Sequence, residues 1–415
     1  MIEDPSTLSG VSVPLVSLEN LAADPHGVFR YFRTRVPFIR RSDGMLVVLR
    51  ASDVRQLSTD HRLRQTETDY IRSLGIQDGP LFRLFDEGML TSNGDVHRHR
   101  RAPFTRTFSL RLIASLRPMI RAVAEEIIDG WDQNGEIDLL DAFASPLPAR
   151  VIAAVLGLPA EDVPTFTKLV YSVARVLSSQ PIAEGPLSLQ EDTRHLLAYA
   201  EEALDRRRRE PADDFLTAYL AALGEGDRLS ASEGIVQIAI LIIGGSDTTR
   251  AALASMANLL LQHGHYGEVC RDPALVPAAV AESLRFEPSV GSIARVTQEP
   301  IDLGGGRLPA DRIVSLSTMS ALRDEAVFER PDRFDIHRAD QQRLHMVFGG
   351  GAHRCLGEGL AKAELEEALA ALTSRLPGLQ LADSGPTMQG HFGIRWIDPV
   401  RVRWPSKTPR QVSDA

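Results

Sequence analysis

The chain has 415 residues, 43% of them hydrophobic, which is enough to bury a large core. Its 46 basic and 55 acidic residues give a net charge of −9, so the composition does not favour nucleic acid or an anionic membrane as the main partner. The longest apolar run, residues 235–243, is far shorter than the roughly 20 residues of a membrane span.

The remaining global features indicate a single cytoplasmic domain. Two cysteines, Cys270 and Cys355, are too few for a disulfide framework, and the acidic, serine-containing residues 1–13 do not resemble a signal peptide. No Gly/Ser-rich or Pro-rich linker separates the candidate functional residues, which run from His97 to Cys355. We predict one domain over residues 24–404, preceded by an N-terminal leader, residues 1–23, and followed by a disordered tail, residues 405–415.

In chain order, the first predicted elements are a short helix over residues 24–35 and two strands, 36–39 and 45–49, joined by a hairpin turn at Asp43-Gly44. Residues 109–223 show helical periodicity with repeated proline and glycine breaks. Ser230 and Glu233 fit a capping box that begins a long helix reaching Gly264. Strands return at 301–303, 312–317 and 394–404, around a second helix at 360–376. The predicted fold class is therefore mainly α with a smaller β region.

A glycine-rich segment near the C-terminus holds one of the two cysteines. It reads Phe348-Gly-Gly-Gly-Ala-His-Arg-Cys355-Leu-Gly357 and lies just before the helix at 360–376. The glycines permit backbone conformations closed to other residues, and the N-terminus of the helix favours a negatively charged sulfur. Cys355 is therefore a candidate metal-bound thiolate.

This spacing, F-x-x-G-x-H-x-C-x-G, resembles the haem-binding signature of the cytochrome P450 superfamily. The resemblance extends from about residue 24 to residue 404. It implies a P450 fold with haem b between the long central helix and the cysteine-bearing loop, Cys355 as the axial iron ligand, and Phe348, Gly351, His353 and Gly357 as further cofactor contacts. A thiolate ligand favours cleavage of the O–O bond of dioxygen, which is the co-substrate.

The long helix contains Gly244-Gly245-Ser246-Asp247-Thr248, which resembles the oxygen-activation motif of the same superfamily. Paired glycines weaken a helix and suit close approach of a planar cofactor. The resemblance implies that Asp247 and Thr248 relay protons to iron-bound oxygen. The alternative is that Thr248 bonds back to a helix carbonyl while Asp247 faces solvent.

Three further segments resemble superfamily motifs. His97 and Arg101 lie four residues apart, on one face of a helix, and the resemblance makes them, with Arg295, anchors of the haem propionates; the alternative is a surface basic cluster. Glu282 and Arg285 form an E-x-x-R pair whose implied role is structural, with Arg333 as its third member.

By analogy, the substrate pocket has mixed walls. Its predicted apolar lining residues are Leu74, Leu90, Ile240, Val290, Ile293 and Phe392, and the sequence leaves open whether Arg72 or His391 contacts the substrate. The expected activity is monooxygenation, by hydroxylation or epoxidation, of a small-to-medium, mostly apolar organic molecule. No flavin or nicotinamide motif is recognisable, so a separate ferredoxin with its reductase is the expected electron supply. The alternatives are a peroxide-driven peroxygenase and a non-catalytic haem sensor.

Overall fold

The computed structural model describes residues 7–8, 11–108, 110–178, 180, 182–224 and 229–407. Within these residues helices dominate, as predicted. The α-helices are α1 (Leu18–Ala23), α2 (Pro25–Arg33), α3 (Ala51–Leu57), α4 (Asp69–Ser73), α5 (Gly79–Asp86), α6 (Gly94–Thr107), α7 (Leu110–Asp129), α8 (Pro146–Val155), α9 (Val163–Ala174), α10 (Gln190–Arg209), α11 (Phe215–Gly224), α12 (Ala231–Gln262), α13 (Tyr266–Arg271), α14 (Val276–Phe286), α15 (Thr318–Ala321) and α16 (Glu358–Arg375).

The strands are short and form small sheets. They are β1 (Thr7–Leu8), β2 (Val11–Ser12), β3 (Leu15–Val16), β4 (Phe38–Arg41), β5 (Leu46–Val48), β6 (Leu63–Arg64), β7 (Gly135–Asp138), β8 (Ser292–Thr297), β9 (Ile301–Asp302), β10 (Arg307–Leu308), β11 (Ile313–Ser317), β12 (Gln380–Leu381), β13 (Met388–Gln389), β14 (Trp396–Ile397) and β15 (Arg401–Trp404). The largest sheet has the order β3-β4-β5-β11-β8-β6. In it, β3 with β4 and β5 with β11 pair in parallel, and the other pairs are antiparallel.

Helix α12 is the central element of the helical region. Ser230 caps its N-terminus by accepting from the Glu233 N–H, and the Glu233 side chain accepts from the Ser230 N–H, so the predicted capping box is present. The helix continues without interruption past its two glycines and packs against α8, α9, α10, α14 and α16. Its buried length makes it one wall of the interior.

Buried hydrophobic residues hold the functional elements in place. The main core lies among the helices around α12, and smaller clusters fill the spaces beside the large sheet. The N-terminal segment takes part in this packing, because Val13, Val16 and Leu21 are buried. The boundary at residue 24 stays a prediction, and these contacts favour an earlier start. The predicted tail lies largely outside the described residues, which end at Lys407.

Among the described helices, none combines the length and the apolar character needed to cross a lipid bilayer.

Candidate active site

A cavity of about 430 Å³ lies between α12 and the loop that carries Cys355. Its volume is in the range of small-molecule sites, and most of its lining is apolar. Five segments distant in sequence supply most of its lining: the 65–108 region, α12, β8 with the residues just before it, the loop and helix at 347–365, and the turn at 392–394. The structure therefore brings together most of the residues that the sequence motifs singled out.

The backbone of the glycine loop presents the sulfur of Cys355 to this cavity. Gly349 adopts a φ of +72°, and the Cys355 N–H donates to the Phe348 carbonyl over 2.9 Å, which closes the loop. Cys355 is exposed to the cavity, and Phe348 and Gly357 also line it. Gly351, with a φ of +64°, serves the turn, and a Cβ there would lie 3.2 Å from the Thr59 side chain. Its predicted role as a cofactor contact stays a prediction.

The environment of the Cys355 thiol has opposing effects on its charge. Burial raises the pKa of this thiol, whereas a hydrogen bond from the Gly357 N–H and the positive charges of Arg101 and Arg354 lower it. Glu358, at the start of α16, raises it further. The N-terminus of α16 therefore favours the thiolate, as the sequence predicts. The pKa of the Cys355 thiol is nevertheless raised, because the effect of burial is the largest. A directly bound cation deprotonates a thiol far more effectively.

A cluster of four basic side chains lines the same cavity. It consists of His97 and Arg101 on α6, Arg295 on β8 and His353 in the glycine loop. The His97 and His353 rings are 3.8 Å apart between centroids, and Arg101 donates to the Arg354 carbonyl over 2.6 Å. Arg295 donates to the Gln65 side chain over 3.0 Å. Among the described residues, none of the four forms an ion pair with a carboxylate.

The pKa values show how unusual this cluster is. Burial lowers the pKa of Arg295 to about 10. Burial, with the charge of Arg101, lowers the pKa of His97 to about 4; burial and the neighbouring His97, Arg295 and Arg101 lower the pKa of His353 to about 3. Near neutral pH the two histidines are therefore uncharged, and Arg101 and Arg295 are the charged members of the cluster. Buried cations are normally paired with acids, so two arginines without a carboxylate partner among the described residues fit an anionic ligand with two carboxylates.

The two glycines of α12 have different surroundings. A Cβ at Gly244 would meet no atom within 4 Å, so this glycine leaves open space in the cavity, whereas a Cβ at Gly245 would lie 3.1 Å from the Ile152 side chain. Gly244 therefore permits close approach of a ligand, and Gly245 permits close packing of α12 on α8. Both still border the cavity.

Thr248 and Asp247 point to different environments. Thr248 lines the cavity, and its hydroxyl donates to the Gly244 carbonyl over 3.0 Å. Asp247 is buried outside the cavity lining, where its carboxylate accepts from Arg250 over 2.6 and 3.0 Å. Burial raises the pKa of Asp247, and the Arg250 charge opposes this rise. The back-bonded hydroxyl matches one alternative from the sequence, but the aspartate does not face solvent.

Sequence reasoning missed one acidic group in the cavity, Glu364 of α16. It is 1% exposed, its Oε2 atom has no hydrogen-bond partner, and burial raises the pKa of this carboxyl well above its usual range. A carboxylic acid that stays protonated can donate a hydrogen bond into the cavity. The available signal was a glutamate between Ala363 and Leu365, on the apolar face of an otherwise regular helix.

Most of the predicted substrate-pocket residues line the cavity. Leu90, Ile240, Val290, Ile293 and Phe392 do so, together with Gln65, Tyr70 and Phe85. Leu74 is a wrong prediction: it ends α4 and packs against the main core. Neither Arg72, whose guanidinium covers the Phe82 ring, nor the buried His391 belongs to the lining.

The E-x-x-R pair is buried next to the segment that leads to the cysteine loop. Glu282 and Arg285 are fully buried and joined by two hydrogen bonds of 2.8 Å. Arg338 supplies the third charge, donating to Glu282 over 3.0 Å. The prediction of Arg333 is wrong, because its side chain is 60% exposed and only its carbonyl accepts from Arg285. The turn at 335–338 brings Arg338 inward instead.

Comparison with known proteins agrees with this geometry. The family model described as Cytochrome P450 matches residues 273–377. The chain is 42% identical to the plant-inducible cytochrome P450-pinF1 of Rhizobium radiobacter, covering 94% of this chain and 92% of that protein. It is 34% identical to the mycinamicin IV hydroxylase/epoxidase of Micromonospora griseorubida, covering 91% of each.

Solved structures show the same likeness in three dimensions. The structure of CalO2 superposes with a TM-score of 0.85 at 28% identity, covering 93% of this chain and 97% of that one. The epothilone B-bound P450epoK gives a TM-score of 0.84 at 28% identity, covering 96% and 98%. Because similarity extends over nearly the whole of each chain, and because the cysteine loop and basic cluster surround one cavity, this protein belongs to the cytochrome P450 family.

Proposed function

We propose that this P450 monooxygenase hydroxylates or epoxidises a small-to-medium, mostly apolar organic molecule, with electrons from a separate ferredoxin and ferredoxin reductase. The observation that carries the proposal is the cavity itself, which is lined by the Cys355 sulfur, by the Thr248 hydroxyl and by apolar side chains. Relatives named for mycinamicin IV and for nocardicin C act on unlike compounds, so the proposal names a substrate class only.

The residues present fit a haem, which the family uses with dioxygen, and we propose haem b. Cys355 would bind the iron through its sulfur, and His97, Arg101, Arg295 and His353 would hold the propionates. When bound, haem supplies the iron at which dioxygen is activated. Gly244 leaves room for this chemistry beside α12.

The protein's own contribution is to orient the substrate, exclude water and deliver protons. The apolar walls at Ile240, Val290 and Ile293 favour an apolar body and a dry site. Thr248 carries a hydroxyl from which a proton can enter the cavity, once it turns from the Gly244 carbonyl. Asp247 would act on it indirectly, since the ion pair with Arg250 holds the carboxylate away.

A separate ferredoxin is supported by the charge beside the cysteine loop. Arg354 and Lys362 both pair with Glu358 at the start of α16. The two cations are partly exposed beside the cysteine loop, a location that suits docking of an acidic electron carrier. Turnover with hydrogen peroxide in place of NADH and the carrier proteins would favour the peroxygenase alternative.

The Thr248→Ala variant tests the proposed proton route. We expect the variant to keep the spectrum of a thiolate-ligated haem–carbon monoxide complex. The amount of product formed per NADH consumed should fall at least about tenfold, because a positioned proton donor typically contributes about 10²-fold or more. The measurement is the ratio of product formed to NADH oxidised.

Ser246→Ala is the matched control. Ser246 lies on the same helix and donates to the Ile242 carbonyl over 2.9 Å in the same way, but it does not line the cavity. Its removal should leave the ratio unchanged. Equal ratios for Thr248→Ala and the wild type would remove the role assigned to Thr248.

A further inference from the structure

Two histidines and a glutamate converge on the surface of the protein, outside the cavity lining. The Glu268 carboxylate lies between two imidazoles: its Oε1 is 2.9 Å from His265 Nδ1 and its Oε2 is 2.9 Å from His337 Nε2. The three side chains offer one ligand atom each, all within 4.8 Å of one another. We propose that His265, Glu268 and His337 bind a divalent metal ion of the zinc class.

The donor set fits this class of ion. Zinc prefers imidazole nitrogen and carboxylate oxygen, and sites with three protein ligands complete their tetrahedron with water. His337 is 53% exposed and Glu268 is 36% exposed, so solvent can reach the fourth position.

The backbones that carry the ligands are held in place independently of any ion. Gly264, with a φ of +76°, ends α12, and the His265 N–H donates to the Leu260 carbonyl over 2.9 Å, just before α13 begins. Because His265 and Glu268 are three residues apart at the start of α13, they share one side of the helix. This pair therefore needs only a third ligand from elsewhere.

The third ligand comes from the loop beside the E-x-x-R pair. The His337 N–H donates to the Asp335 carboxylate over 3.0 Å, and the Asp335 N–H donates to Glu282 over 2.8 Å. The adjacent Arg338 is held by Glu282 and Asp340, so it does not compete for Glu268. A bound ion would connect α13 to this loop and would stabilise the folded state by an amount that grows logarithmically with its concentration above the Kd.

The competing interpretation is a triad held by hydrogen bonds alone, which requires no ion. Zinc titration of the haem-loaded full-length protein, followed by calorimetry, separates the two. Loaded protein is essential, because without haem the free Cys355 thiol is exposed and can itself bind zinc. We expect one zinc ion per chain and a melting temperature that rises with zinc until the site is saturated.

The variants locate the ion. His337→Asn and Glu268→Gln should each weaken zinc binding at least about tenfold, since loss of even an outer-shell partner costs 10- to 100-fold. His61→Asn is the control, because His61 lies 3.8 Å from the single carboxylate of Asp60, with no second histidine. It should bind zinc like the wild type. Anomalous scattering at the zinc edge should place the ion among the three side chains.

Three results would overturn the proposal: no binding by the wild type, undiminished binding by both variants, or an anomalous peak elsewhere. The spectrum of the reduced carbon monoxide complex, recorded for each variant, shows whether the haem site is intact. A failed zinc titration with a normal spectrum removes the metal site and leaves the proposed function untouched.

Discussion

At position 364 a carboxyl group is enclosed in the helical core without a partner for one of its oxygens. Burying an ionised carboxylate among apolar groups is so costly that the group keeps its proton instead. Glu364 therefore binds a proton in the folded protein at a pH at which the unfolded chain has released it. The free energy of unfolding therefore depends on pH.

The sign of the effect follows from the raised pKa of Glu364. Its contribution to stability is fully present below the pKa of the unfolded chain, near 4.5, and is lost as the pH rises through the folded value. We expect Glu364→Gln, which keeps the shape but cannot ionise, to gain stability relative to the wild type as the pH rises above about 4.5. Urea unfolding midpoints at a series of pH values measure this.

Glu201→Gln is the control, because it removes an exposed carboxylate from α10. Its stability should follow that of the wild type at every pH. A constant difference between Glu364→Gln and the wild type across the series would show that folding does not raise the pKa of Glu364.

The short sequence motifs predicted which residues line the cavity better than they predicted the orientations of the side chains. Cys355, His97, Arg101, Arg295 and His353 all line the cavity, as the resemblance of their motifs to those of the P450 superfamily implies. Asp247 and Thr248 are adjacent, yet one side chain turns to Arg250 and the other borders the cavity. The orientation of each side chain depends on which face of α12 meets α9, where the Tyr171 ring lies under the Arg250 guanidinium. No local sequence pattern encodes this contact between the two helices.

At the level of elements, the loop after α15 decides which arginine supports the buried Glu282. Arg338 is 5% exposed and bonds to this carboxylate, whereas the Arg333 side chain extends into solvent. We expect Arg338→Gln to lower the free energy of unfolding by about 2 kcal/mol or more, because hydrogen bonds to charged groups contribute about 1.5–3 kcal/mol. Arg333→Gln should change it by less than about 0.5 kcal/mol, as surface substitutions do.

Chemical denaturation of the two variants side by side measures this difference. The Arg333 carbonyl, which accepts from Arg285, is kept in both proteins, so the comparison isolates the side chains. An equal loss for the two arginines would restore the original assignment of Arg333.

Helix ends followed from local signals, whereas partners across the fold did not. The capping box fixed the start of α12 at the predicted residue, and the end at Gln262 falls two residues before the predicted Gly264, whose φ of +76° terminates the helix. Arg333 and Arg338 occupy the same short polar segment, and the turn closed by Asp335 selects between them. Such a turn depends on the buried pair it packs against, so it is a property of the assembled fold.

At the scale of the whole molecule, the N-terminal segment is joined to the large sheet. Strand β3 pairs in parallel with β4, and the Ser42 N–H donates to the Val16 carbonyl over 2.9 Å. Leu21 of α1 is fully buried in the cluster formed with Phe29 and Ile39. Polar composition made this stretch resemble a leader, because three buried apolar residues spread over nine positions give no periodic signal.

Leu21→Ala tests whether this segment is part of the folded body. We expect the variant to lose about 2–5 kcal/mol of unfolding free energy, because truncating a fully buried leucine removes transfer free energy and leaves a cavity. Leu18→Ala, on the same helix but at a position that is 40% exposed, should lose less than about 1 kcal/mol. Urea denaturation followed by circular dichroism measures both. Equal, small losses would mean that α1 detaches before the rest unfolds, and that residues 1–23 contribute little to the stability of the domain.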